Sequence, residues 1–254
     1  MSQSPRPASI VIFGASGGIG SALARQLAAQ PCHLTLVARN QGRLDALAAE
    51  LHAEVFSLDA TDSAAVERCL EEVSQKHGRV DGVANCAGSL LLKPVHLTTD
   101  SEWAGVLGTN LTSSFHILRA ATARMMRTGG GSIVLVSSAV AQRGMINHEA
   151  IAAAKAGVAG LALSAAATYA RYSIRVNCVA PGLTRTPLTE ALTKTEASLK
   201  LSAALHPLGR IGEPDEVARA IRWFLSPEQS WVTGQVLGVD GGLSSLQPRS
   251  QPVP

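Results

Sequence analysis

The chain has little of what would mark it for several common tasks. Aromatic residues make up 4% and charged residues 16% of its 254 positions. Only two tyrosines occur, Tyr169 and Tyr172, so phenol chemistry is confined to one short stretch. No run of lysine or arginine exists, and the net charge is +3, which gives nucleic-acid binding little electrostatic support. The four cysteines, Cys32, Cys69, Cys86 and Cys178, are widely spaced, with no CxxC and no paired histidines. That argues against a structural metal site and for free thiols in a reducing compartment. Residues 1–7 are polar, with no apolar signal core. The most apolar window, residues 150–170, is mostly Ala and Gly and contains Lys155, so close helix packing suits it better than a membrane span. A cytoplasmic protein with no membrane partner is expected.

What is present is core-forming material. Hydrophobic residues make up 46%, enough for one sizeable domain. Neither repeats nor a linker divide the chain. The expected layout is an N-terminal arm at 1–8, one domain at 9–245 and a proline-rich tail at 246–254.

Ser9-Ile10-Val11-Ile12-Phe13 reads as a strand buried on both faces. Gly14-Ala15-Ser16-Gly17-Gly18-Ile19-Gly20 follows at once, and residues 21–29 have helical apolar spacing. Strand, glycine turn and helix form the setting in which such glycines let the backbone approach a pyrophosphate at a helix N-terminus. Residues 34–38 give the next strand, ending in Ala38-Arg39. An acidic residue there would accept from both ribose hydroxyls; Arg39 suits a 2′-phosphate instead, which favours NADP(H) over NAD(H). A helix at 41–51, a strand at 54–58, the turn Asp59-Ala60-Thr61-Asp62, a helix at 63–77 and a strand at 82–85 continue the alternation. Regular βα units predict an α/β fold, a Rossmann-like, doubly wound parallel sheet of about seven strands flanked by helices. Ligands of such sheets bind beyond the carboxyl ends of the strands, where these motifs fall.

Beyond the loop at 90–99, helical spacing runs from about 99 to 126 and encloses Asn110, an odd residue for a helix interior. A strand at 132–137 ends before Ser138. A helix at about 148–172 carries Lys155, and a strand at 174–180 leads into Pro181-Gly182. From 184 to 212 periodicity is weak and small residues are frequent, as in a mobile lid. A helix from 213 to 225 and a strand at 234–239 precede Asp240-Gly241-Gly242.

In this order and spacing the motifs resemble those of the short-chain dehydrogenase/reductase family over about residues 9–242, most closely its 3-oxoacyl-carrier-protein reductase branch. The matching positions are Gly14, Gly18 and Gly20, then Asn85, Ala87 and Gly88, then Asn110, Ser138, Lys155, Pro181-Gly182 and Asp240 to Gly242. The resemblance implies cofactor contacts at Gly14, Ser16, Gly17, Gly18, Ile19, Gly20, Arg39, Asp59, Ala60, Asn85, Ala87, Gly88, Lys155, Pro181, Gly182, Thr184 and Thr186. It also implies a catalytic group of Asn, Ser, Tyr and Lys. In that group the tyrosine protonates a carbonyl oxygen while hydride arrives from the nicotinamide, and the lysine lowers the tyrosine pKa and binds the ribose. The serine hydrogen-bonds the substrate, and the asparagine holds a water that links the lysine to solvent. A small carbonyl or quinone-type substrate and a homodimer or homotetramer are implied partners.

At the tyrosine position, four residues before Lys155, stands Ile151, which cannot donate a proton. Phe13 and Cys86, where the family often has threonine and a second asparagine, are lesser departures. Three readings stay open. His148, three residues before Ile151, can serve as a substitute acid. Alternatively, the substrate needs no protein acid, and Lys155 with a water supplies the proton through Asn110. Or the chain binds dinucleotide without catalysis, as a sensor or oligomer partner.

Overall fold

The aliphatic runs become seven parallel strands in the order β3-β2-β1-β4-β5-β6-β7. They are β1 (Ala8–Phe13), β2 (Cys32–Ala38), β3 (Glu54–Ser57), β4 (Gly82–Asn85), β5 (Gly131–Val136), β6 (Ile174–Pro181) and β7 (Val236–Val239). The computed structural model describes residues 7–247. The expected tail beyond 247 and the first six residues of the expected arm lie outside the described residues; the first strand begins at Ala8, inside that arm.

The helices are α1 (Gly18–Ala28), α2 (Gln41–Leu51), α3 (Ser63–His77), α4 (Asp100–Leu107), α5 (Ser113–Met125), α6 (Glu149–Tyr169), α7 (Glu190–Thr193), α8 (Glu196–Ala204) and α9 (Pro214–Leu225). Alternate strand residues feed two cores. Val11, Phe13, Val83, Ile133, Leu135 and Val176 pack under α3, α5 and α6. Ile10, Ile12, Leu36, Val134, Val136 and Val179 pack under α1, α2 and α9. Period-two alternation with both faces apolar is why these segments read as continuous hydrophobic runs. Phe13 is fully buried in the first core, so its departure from threonine fills space there.

Two expectations are corrected. The single helix at 99–126 is broken by a π turn, Gly108–Thr112, between α4 and α5. The wide turn accommodates Asn110, whose Nδ2 donates to the Val106 carbonyl at 2.9 Å. The stretch at 184–212 holds two short helices, α7 and α8. Its ends are joined by a bridge between Thr184 and Gly212, with Gly212 N donating to Leu183 O at 2.9 Å. The apolar residues of α8 stay largely exposed, with no buried stripe, which is why periodicity was weak there.

By length and composition, the segment Glu149–Tyr172 is apolar enough to cross a membrane. Here α6 packs on β6 and places Lys155 beneath the site.

Candidate active site

The motifs named above follow the carboxyl ends of the strands, from Arg39 and Asp59 after β2 and β3 to Asp240 after β7, with Gly14, Asn85, Ser138 and Pro181 on the central β1, β4, β5 and β6. Gly14 has φ +72°, and a Cβ there would lie 2.4 Å from Ala87 N, so the glycine turn touches the loop after β4 backbone to backbone. A Cβ on Gly20 would lie 2.2 Å from Gly14 O, so only glycine lets α1 start this close to β1. A side chain on Gly18 would strike Thr186, from the segment after β6. The N-cap of α1 is Gly17, with no side-chain cap and no acid in the first turn. A helix start of this kind can offer its backbone amides to an anion. Ser16 is half-buried in the same turn, and Ile19 packs its side chain on the second core.

Arg39 stands exposed at the end of β2, with its guanidinium 3.7 Å from the Asp59 carboxylate. A loose exposed pair of this kind contributes little and leaves the guanidinium available. The Thr61 amide first, and then its hydroxyl and Arg39, hold the Asp59 carboxyl below its ordinary range. Ala60 packs against the first core beside Asp59.

The loop after β4 is tied by side chains. Asn85 Oδ1 accepts from Ala87 N at 3.0 Å, and its Nδ2 donates to Ser114 Oγ at 3.0 Å. Ser114 Oγ donates in turn to Asn110 O at 2.7 Å. Asn110 is fully buried: its Oδ1 accepts from Ser89 N at 3.2 Å and its Nδ2 donates to Ser89 Oγ at 3.0 Å. Gly88 leaves the gap between Asn110 and the lysine, since a Cβ there would be 3.1 Å from Asn110 Oδ1 and 3.5 Å from Lys155 Nζ.

Lys155 is buried, and its Nζ donates to Val136 O at 2.8 Å. Burial pulls its pKa down to about 8, with the sulfurs of Cys178 and Cys86 partly opposing. Burial in turn pushes those thiols up, to about 11 and about 12, so both are neutral when the lysine titrates and burial dominates. Ser137 Oγ donates to the Lys155 carbonyl at 2.7 Å, fixing α6 against the end of β5. Ser138 is next, in extended backbone, with Oγ accepting from Val140 N at 3.3 Å. Pro181 and Gly182 close the other side, where Gly182 N donates to Val239 O at 3.1 Å and Thr184 Oγ1 donates to Gly182 O at 3.1 Å.

Ile151 is 3% exposed and packs with Val106, Ala150 and Ala154, covered by Leu90, Leu91, Leu107 and Val140. The position the resemblance assigns to a phenol is thus filled with hydrocarbon. Tyr169 lies at the far end of α6 against the first core. His148 sits just outside α6 as its N-cap, half-buried, with Nδ1 paired to Ile146 O at 2.6 Å. Sequence reasoning did not single out Ser89, Ser114 or Ser137; the polar signal available was serine at positions flanking buried motif residues.

The family model described as enoyl-(acyl carrier protein) reductase, a short-chain dehydrogenase model, matches residues 14–244. The chain belongs to the short-chain dehydrogenase/reductase family. It is 37% identical to the 3-oxoacyl-(acyl-carrier-protein) reductase of Thermotoga maritima over 238 residues, covering 92% of this chain and 96% of that protein. It is 34% identical to carbonyl reductase family member 4 of Xenopus laevis over 237 residues, 91% and 96% of the two chains. Among solved structures, a short-chain type dehydrogenase/reductase of Mycobacterium ulcerans superposes with TM-score 0.92 at 31% identity, covering 97% and 93%. An actinorhodin polyketide ketoreductase with NADPH gives 0.90 at 28% identity, covering 94% and 98%. Oxidoreductase chemistry with a nicotinamide dinucleotide and a small-molecule substrate is the family's common ground.

Proposed function

We propose that the protein is an NADP(H)-dependent carbonyl reductase with a tyrosine-less active site. The observation that carries this reading is the pairing of an uncapped glycine turn with a buried lysine whose surroundings remain complete. A pure binder would use Lys155 for the ribose but has little use for Ser138. When bound, the dinucleotide supplies hydride to the carbonyl carbon. Arg39 suits the 2′-phosphate, the first turn of α1 the pyrophosphate, and Lys155 the nicotinamide ribose. Ser138 holds the substrate oxygen. Lys155, its pKa pulled down by burial to about 8, supplies the proton across the gap left by Gly88, beside Asn110. The tether of His148 to Ile146, outside the helix, supports this source over the imidazole.

The apolar filling around Ile151 favours a second reading, dinucleotide binding without turnover as a sensor or inactive oligomer partner. The two are separated by NADPH oxidation with a panel of carbonyls and quinones. The reductase reading expects slow turnover that Lys155→Met abolishes. Saturable NADPH binding with no oxidation of any acceptor would favour the second reading instead.

The alanine-rich α6 supports a two-fold dimer or tetramer. Gly157 is used internally, against Leu111, whereas Gly160 meets nothing, and Leu163 of α6, Phe115 of α5 and Trp103 of α4 are exposed. The free thiols Cys32, Cys69, Cys86 and Cys178 agree with a cytoplasmic location.

A further inference from the structure

Ser89 lies in the loop after β4, held by the buried Asn110. It follows β4 by four residues, and Ser138 follows the paired residue Leu135 of β5 by three. The two serines therefore leave neighbouring strands at the same edge. Ser89 is clamped at two points by one amide: its N–H donates to Asn110 Oδ1 at 3.2 Å, and its Oγ accepts from Asn110 Nδ2 at 3.0 Å. With the Oγ serving as acceptor there, its own proton is directed elsewhere. Among the described residues that proton meets no intramolecular acceptor. On one side of Ser89 is Gly88, whose absent Cβ leaves Lys155 Nζ 3.5 Å from that point. On the other side are Leu90 and Leu91, which pack on the cluster containing Ile151. The chain neighbours of Ser89 thus face the amine on one side and the hydrocarbon cluster on the other.

We propose that Ser89 is the group that passes the proton to the substrate oxygen. The inference rests on the reductase reading above. As the carbonyl carbon gains hydride from NADPH, which becomes NADP+, the C=O π pair moves to oxygen and takes the Ser89 proton. The Ser89 oxygen is refilled by the Lys155 ammonium through a bridging water, and the resulting neutral amine regains its proton from solvent. An ammonium near pKa 8 is well matched to such relay at neutral pH. Serine is itself too weak an acid to keep the negative charge, so the lysine must refill it in concert. This makes the hydroxyl a conduit, and it explains why its lone pair is pinned by an amide while its proton is left free.

The test uses the full chain with Ser89→Ala and Ser89→Thr, assayed for NADPH oxidation, NADPH affinity by fluorescence, and thermal midpoint. We expect Ser89→Ala to lose about 10²-fold in kcat with NADPH affinity and midpoint unchanged. Ser89→Thr should keep most of the activity, and small ammonium buffers should partly rescue Ser89→Ala. Native-like turnover in Ser89→Ala would overturn this role and leave the reductase reading standing. A joint loss of affinity, midpoint and turnover without buffer rescue would also overturn it, reducing Ser89 to a clamp for Asn110. Absence of any turnover in the native protein would overturn both.

Discussion

The glycine turn at residues 14–20 and the first two turns of α6 lie at the same edge of the sheet, yet they are built from different materials. The turn is made of backbone: every close approach, from Gly14 to Ala87 and from Gly20 to Gly14, is set by the absence of a Cβ. The helix presents side chains: Ile151 packs in a hydrocarbon cluster at the position the resemblance gives to a phenol, while Lys155 on the same helix, and Ser137 and Asn110 beside it, are hydrogen-bonded. Backbone cradles have no room for substitution. A proton donor is one functional group on a scaffold that stands without it, so it can be lost or relocated while the fold and the nucleotide site persist.

The contrast is broken most severely at the turn. Gly20→Val puts a branched side chain where a Cβ alone would sit 2.2 Å from a carbonyl oxygen. We expect loss of dinucleotide binding in calorimetry together with a lowered thermal midpoint; native-like titration would show that the turn is not the cradle. On the helix side, turnover should fall as pH rises through about 8, close to tenfold per pH unit beyond it, because the ammonium form of Lys155 is the one that delivers a proton. A rate flat from pH 7 to 10 would remove the lysine from proton transfer. Smaller is Arg39→Ala, expected to weaken NADPH about tenfold, or about 1.4 kcal/mol, and to leave NADH unchanged. Equal weakening of both would show that Arg39 does not read the 2′-phosphate. Smallest is His148→Ala, expected to change turnover less than about threefold; a loss near 10² would move the proton source to the imidazole.

Much of the fold was legible because its signals are local. The β-branched run before Gly14 and the alternating segments up to Asn85 carry their own periodicity. Asp62, accepting from Ala64 N and Ala65 N, caps α3 as its sequence position suggests. Asn110 was legible as an anomaly only. The π turn that explains it depends on long-range partners, Ser89 and the loop after β4, which no window around residue 110 contains. The helices α7 and α8 were not legible for a different reason: despite the capping pair Thr195 and Ser198 at the start of α8, its leucines are not gathered on a buried face. In the site, Lys155 and Ile151 were assigned by the family resemblance. The filling around Ile151 by Leu90 and Leu91, Leu107 and Val140 could not be read in the sequence, since it is made by three segments distant in sequence.

The most direct measurement compares kcat and NADPH affinity of the native protein with those of Ile151→Tyr, with the thermal midpoint recorded to show that the buried ring is accommodated. If the site lacks only its usual acid, the variant gains about 10² in kcat at unchanged NADPH affinity. A folded variant that binds NADPH equally well and turns over no faster would contradict the claim that the rest of the catalytic geometry is intact.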